Sequence, residues 1–178
     1  EYDLMGIVDI VRRISDLARF HRGCRVNVSI SPFVPKAMTP FQWVRQDTMD
    51  ATQAKLELLR HHLRQRNVKL SWREPNVAAI EGLLARGDRR LGAVIQSVWQ
   101  HGVRFEGWRE FFDFSPWKDA LAENDLSLDS YLQQRSVDHP LPWDHIDKGI
   151  SRSFLEKEYQ RALDETITEH CRLSRCHV

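Results

Sequence analysis

The sequence predicts an α/β protein that is mostly helical. Three observations carry that prediction. Leu4, Ile7, Val8, Val11, Ile14, Leu17 and Ala18 recur at the spacing of one helix face. Val26, Val28 and Ile30 then alternate with Asn27, Ser29 and Ser31, which is the two-residue period of a strand. Beyond them the chain keeps helical spacing, broken by one short strand-like run, "VKLSW", from Val68 to Trp72.

The elements follow in order. Gly23 is placed to stop the first helix, and Cys24 to Ser31 reads as the first strand. A helix, a short turn and a strand make half of a βαβ repeat that lacks its preceding strand. Asp47 can cap a helix running to about Arg66, with Leu56, Leu59 and Leu63 on its buried face. Pro75 can open the next, carried on by Val77, Ile80, Leu83 and Leu84 until Gly87. Leu91, Val94, Ile95, Val98 and Trp99 give the following face, ended by Gly102. Ser115 and Pro116 read as cap and first helical position, and Ser127 as the cap of a shorter helix. After the turn-rich "DHPLPWDHIDKG", Ser153 and Glu156 fit a capping box for a helix with Leu155, Tyr159, Ala162 and Leu163 on one face.

At 178 residues the chain can bury an ordinary core. Hydrophobic and charged contents of 42% and 29% exclude wholesale disorder. A formal net charge of +1 gives no bulk electrostatic case for nucleic acid or an acidic membrane. No apolar run approaches membrane-spanning length, so no membrane partner is expected. The three cysteines, Cys24, Cys171 and Cys176, lack the spacing of a disulfide framework, which predicts a reducing cytoplasm. The chain opens in helical pattern without a methionine, and we expect it to be part of a longer protein.

The stretch "VNVSISPFVPKAMTPFQW" joins a strand to a loop with an unusual load. In parallel α/β proteins, ligands bind beyond the C-terminal ends of strands. Pro32, Pro35 and Pro40 stiffen this loop, Phe33, Phe41 and Trp43 offer apolar surface, and Lys36 could meet a carboxylate or phosphate. The alternative is a loop that closes the end of a core. Arg86, Arg89 and Arg90 surround Asp88 between two helices, beside Gly87. They could grip an anion bidentately, or Asp88 could pair with one of them and cap the helix beginning at Arg89.

Asp144, His145 and Asp147 follow Trp143 in "PWDHID". Their arrangement suits proton transfer or a metal fragment less well than it suits anchoring of the last helix. Cys171 and Cys176, beside His170 and His177, form a weak metal signal at the end of the chain. Trp99, Phe105, Trp108, Phe111, Phe112, Phe114 and Trp117, interleaved with Arg104 and Arg109, make an aromatic belt. Such a belt packs helices together or stacks on bases.

"SPFVPKAMTPFQW" resembles the segment after the sixth strand of the radical S-adenosylmethionine (SAM) barrel, in the form with proline, a basic residue and "TP" seen in methylthiotransferase-like enzymes. "ARGDRRLGAVI" and "LPWDHIDKGISRSFLEKEY" resemble, in the same order, an iron–sulfur oxidoreductase-like family of radical SAM proteins with an upstream cobalamin-binding-like domain. The similarity covers nearly the whole chain. It implies that residues 1–45 are the last helix and strand of a partial TIM-type barrel with its rim loop. Residues 46–178 are then a helical C-terminal extension with one short strand.

It also implies SAM and a 4Fe–4S cluster in the parent protein, with cobalamin as an open alternative. The family's C-x-x-x-C-x-x-C motif is absent from this sequence, so no cofactor is expected on the chain alone. The resemblance points to Ser29, Ser31, Pro32 and Phe33 as SAM-lining residues. It points to Lys36, Trp43, Arg86, Arg89 and Arg90 as the substrate side. The expected partners are the rest of the barrel, an RNA or ribosomal substrate, and a second copy of the chain through the unpaired strand. The other reading of the whole is an RNA-recognition module built on the arginine cluster and the aromatic belt.

Overall fold

The computed structural model describes residues 1–21, 23–104, 106–170 and 172. It is α/β and mostly helical. In chain order the elements are α1 (Tyr2–Ala18), β1 (Val26–Ile30), α2 (Met49–His62), β2 (Val68–Trp72), α3 (Pro75–Arg86), α4 (Leu91–Gln100), α5 (Ser115–Glu123), α6 (Leu128–Leu132) and α7 (Arg152–Leu163). The chain divides into two compact units. One is Glu1–Phe33 with Asp47–Ala79; the other is Val34–Gln46 with the chain from Ile80 onward.

In the first unit β1 and β2 pair in parallel, from Val26 opposite Val68 to Ile30 opposite Trp72. A parallel pair needs a crossover, and α2 supplies it. Val28, Ile30, Val68 and Leu70 pack with Val8 and Val11 of α1 and with Leu59 and Leu63. The alternate residues Asn27, Ser29, Lys69 and Ser71 are exposed, so the period of two read from the sequence separates a packed face from an open one. Ser15, fully buried on α1, donates its hydroxyl to Asn67 Oδ1 at 2.7 Å, and Asn67 Nδ2 donates back to the Ser15 carbonyl at 3.2 Å. That exchange fixes α1 to the residue just before β2.

This pairing corrects one expectation. β1 is not unpaired: its partner is the "VKLSW" strand assigned to the extension. The division therefore differs from a boundary at 45/46, because strand pairing brings 47–79 to 1–33. Among the described residues the sheet has two strands, and this chain by itself closes no barrel.

α1 is apolar on a second stripe as well. Ile7, Ile10, Ile14 and Leu17 are exposed, Ile10 by 57% and Leu17 by 67%. At 3.6 residues per turn this stripe lies about 110° around the helix from the packed face.

The second unit has two apolar clusters. Ile80, Leu83, Leu91, Val94 and Val98 pack with Trp117, Ala120, Leu121 and Tyr131. Trp43, Leu141, Trp143 and Leu155 form the other, with Met38, Val137, Phe154 and Tyr159 against it. Gly87 permits the α3–α4 junction, since a Cβ there would lie 2.1 Å from Leu91 Cδ1. Of the aromatic belt, Phe112 and Phe114 pack on the first cluster around Trp117, whereas Trp99, Trp108 and Phe111 are exposed. Phe105 lies outside the described residues.

Several helix starts differ from expectation by a residue or more. Thr48, not Asp47, caps α2 by accepting from the Ala51 amide at 3.2 Å, while Asp47 pairs with Lys55 at 2.5 Å. α2 ends at His62 rather than near Arg66. Ser115 is the first residue of α5, with Phe114 at the cap position. Ser151 caps α7, accepting from Phe154, so Ser153 and Glu156 do not form the capping box. At α2 and α7 a nearby hydroxyl, that of Thr48 or Ser151, is the better-placed acceptor, whereas Phe114 offers no side-chain cap.

Candidate functional site

The strand-and-loop stretch falls on both units, so its two halves are described separately. At the end of β1, Ser29 and Ser31 are exposed, Pro32 is half-buried and Phe33 is 53% exposed. Alternation puts Ser29 and Ser31 on the open face of the sheet. The prolines restrict the chain that follows. This end offers two hydroxyls and one aromatic ring to a ligand.

The second half folds into the apolar cluster around Trp143. Gln42 organises it. Its buried Oε1 accepts from Trp143 Nε1 at 2.7 Å and from the Met38 amide at 2.9 Å, with Met38 in the left-handed region at φ 57°. Trp43 is fully buried, its ring centroid 5.8 Å from that of Tyr159. Lys36 Nζ lies 2.5 Å from Glu81 Oε1. Two expectations change here. Trp43 presents no surface to a substrate because the cluster encloses it, and Lys36 is an ion-paired cation.

The arginine cluster separates into different roles. Arg86 is fully buried. Its guanidinium donates to the Val44 carbonyl and, at 2.7 Å, to the Gln133 carbonyl. Arg135 in turn donates to the Arg86 carbonyl at 2.6 Å, and its amide donates to the Trp43 carbonyl at 2.8 Å. Burial, reinforced by the charge of Arg135, lowers the Arg86 pKa to about 10. Arg86 is therefore a clip holding segment 43–46 to 132–135, and this corrects its expected place on the substrate side.

Arg90 is engaged by Asp88 through its backbone amide at 3.0 Å and its guanidinium at 2.7 Å. The Arg90 hydrogen bond is the main reason the Asp88 carboxyl sits below its ordinary value. Burial raises the Tyr131 phenol, whose oxygen is 3.5 Å from Asp88. Arg89 is exposed. Of the three arginines placed on the substrate side, Arg89 alone has a side chain with no hydrogen-bonded or ionic partner among the described residues, its carbonyl accepting from the Gly92 amide at 3.1 Å.

"PWDHID" anchors α7. Asp144 accepts from the Leu141 amide at 2.8 Å and from Arg152 at 2.7 Å. Arg152 also pairs with Glu156 at 2.9 Å and donates to the carbonyls of Val137 and His139. A cavity of about 160 Å³ lies beside this network, lined by Met38, Gln42, Trp143, Asp144, Ile150 and Arg152. Sequence reasoning missed Gln42, Arg135 and Arg152. The one available signal was Gln42, a polar residue between Phe41 and Trp43 in an apolar run.

Among the described residues no group of three or more His, Cys, Asp or Glu is placed to hold a metal. Cys24 is exposed. Cys171 and Cys176, the weak metal candidates, lie outside the described residues. Among the described residues no helix is long and apolar enough to cross a membrane. No protein-family model, no curated protein and no solved structure matches the chain at a significant level.

Proposed function

We propose that this chain is the C-terminal part of a radical SAM enzyme, in which the first unit extends a larger parallel α/β sheet. One observation carries the reading. A two-stranded parallel sheet, with α1 and α2 packed on its apolar residues, keeps an open edge on β1 and an exposed isoleucine stripe on α1. Parallel sheets are normally covered and extended by further βα units. A preceding βα unit would pair with the β1 edge and bury Ile7, Ile10, Ile14 and Leu17.

In this reading the C-terminal end of β1 faces the SAM side. The Ser29 and Ser31 hydroxyls hydrogen-bond polar atoms of the adenosyl group, and Phe33 supplies apolar contact to its base. Pro32 restricts the backbone between Ser31 and Phe33. The described residues do not fit a 4Fe–4S cluster, since Cys24 is the one cysteine among them and no ligand group surrounds it. In this reading preceding residues of the parent protein hold the cluster. When bound, SAM and the cluster supply the radical that starts hydrogen abstraction.

The test is anaerobic reconstitution with iron and sulfide, followed by an assay for 5′-deoxyadenosine from SAM. This chain alone is expected to give none. A protein extended by the coding sequence before Glu1 is expected to give product, reduced by Phe33→Ala. Product from the chain alone, or no C-x-x-x-C-x-x-C motif in the extended sequence, refutes the proposal. The reading as an RNA module draws support from exposed Trp99, which carries the Arg104 guanidinium 4.7 Å from its ring centroid. The engagement of Arg86 and Arg90 gives that reading no support.

A further inference from the structure

The first unit carries an excess of Lys and Arg over Asp and Glu, and the second the reverse. The excess is local. From Arg60 to Arg73, "RHHLRQRNVKLSWR", there are two histidines and no acidic residue. Arg60, His61, Arg64, Arg66 and Lys69 are exposed, as is Arg25 from the turn before β1. Among the described residues Arg25, Arg60, Arg64, Arg66 and Lys69 form no ion pair.

These cations gather at one end of the unit. Arg25 precedes β1, Arg66 precedes β2, and the Val26 amide donates to the Asn67 carbonyl at 2.8 Å, so the two strand starts lie side by side. Arg60 lies in the last turn of α2, and Arg64 follows just past its C-cap, Leu63. This is the N-terminal end of the parallel strands, opposite to Ser31 and Phe33. Two open concavities occur here. One, of about 740 Å³, is lined by Glu57, Leu58, Arg60, His61 and Arg64. The other, of about 570 Å³, is lined by Arg19, Cys24, Arg25, Gln65, Arg66 and Asn67 among others. They take adjoining residues, Arg64 and Gln65.

The negative end of the α2 dipole accounts for Arg60, His61 and His62 in its last turn. It does not account for Arg25 or Lys69, which belong to the strands and their approach. Phe20, 84% exposed, follows Arg19, which lines the second concavity; the Trp72 ring, 4.9 Å from the Arg60 guanidinium, ends β2 opposite Ile30 and lies outside both concavities. Arginines beside an exposed aromatic residue suit phosphates and bases in one ligand. A concave lining with Gln65 and Asn67 suits a polyanionic strand, whereas a bilayer presents a flat surface. Glu57 and Asp16, which pairs with Arg19 at 3.3 Å, are the acidic groups beside the concavities.

We propose that this basic end of the first unit, centred on Arg25, Arg60, Arg64, Arg66 and Lys69, binds the phosphodiester backbone of single-stranded nucleic acid. The site shares no residue with the SAM side proposed above and does not depend on it. The experiment uses fluorescence anisotropy of the whole chain with labelled oligo(U) RNA and oligo(dT) DNA across about 50–200 mM salt. Three to four phosphate contacts predict a slope of log K against log salt of about −2 to −3, at ~0.7 per contact.

R60Q/R64Q/R66Q is expected to lose at least about tenfold in affinity and to flatten the slope by about 2. K118Q/K148Q/K157Q removes the same charge from exposed lysines of the second unit and is expected to bind as the parent does. Circular dichroism melting of both variants checks that they fold. The RNA and DNA arms decide which backbone is preferred. Three outcomes overturn the proposal: no binding by the parent chain at the lowest salt, equal loss in the lysine variant, or binding to phosphatidylserine vesicles without binding to either oligonucleotide.

Discussion

Replacing Arg86 with methionine separates the cost of a buried charge from the value of the bonds it makes. The side chain is fully buried and donates to the carbonyls of Val44 and Gln133. Hydrogen bonds from a charged donor contribute about 1.5–3 kcal/mol each, so two amount to roughly 3–6 kcal/mol. Against this, burial and the charge of Arg135 disfavour the guanidinium and lower its pKa to about 10. Discounted for residual solvent screening, relief of that penalty returns about 1–3 kcal/mol. Methionine fills similar volume, so no large cavity term is added. The net loss is on the order of 2 kcal/mol, about a 30-fold change in an opening equilibrium.

Two amides report on it locally. Gln46 N–H donates to the Leu132 carbonyl at 2.9 Å, and Arg135 N–H to the Trp43 carbonyl at 2.8 Å. Both cross between the segments that Arg86 joins. Hydrogen exchange of these amides in Arg86→Met is expected to accelerate by about 10- to 30-fold, with the amides of α1 unaffected. Unchanged exchange at Gln46 and Arg135 would refute the assignment of Arg86 as a clip.

Three other outcomes follow from the packing. Gly82→Ala places a Cβ 1.9 Å from Gln46 Oε1 and 2.9 Å from Leu132 Cδ2, so denaturant unfolding should show a loss of about 1–3 kcal/mol. Ser15→Ala removes the donor to Asn67 from a buried site and should cost about 1–2 kcal/mol, with faster exchange of the Val68 amide; a stability equal to the parent's would contradict the pairing. The Asp88 carboxyl is held below its ordinary 3.8, chiefly by Arg90, so its stabilising effect is complete above that pH and is lost as pH falls through the lower folded value. Asp88→Asn should therefore flatten the acid limb of a stability–pH curve and lower stability at neutral pH, and an unchanged limb would count against the Asp88–Arg90 contact.

Legibility in the sequence followed how local each cause was. The face of α2 and the alternation of both strands could be read because their periods are intrinsic to helix and strand, whereas the single face expected of α1 divides, with Val8 and Val11 packed and Ile7, Ile14 and Leu17 exposed. Cap positions slipped by a residue wherever two competent side chains adjoined, as with Asp47 and Thr48. Trp43 and Phe33 are both large apolar residues of one loop, and the sequence does not separate them. The fold buries Trp43 beside Tyr159 and leaves Phe33 half-exposed.

By itself the sequence determined the α/β class, the helix order and the existence of two short strands, since each rests on interactions within a few residues. Tertiary structure alone decided that β1 pairs with β2, because the hydrogen bonds of a parallel ladder join residues about forty positions apart. It also decided the roles of Arg86, Arg89 and Arg90. Three guanidiniums within five residues are chemically equivalent until the carbonyls of Val44 and Gln133, the carboxylate of Asp88 and the solvent are brought to different ones among them.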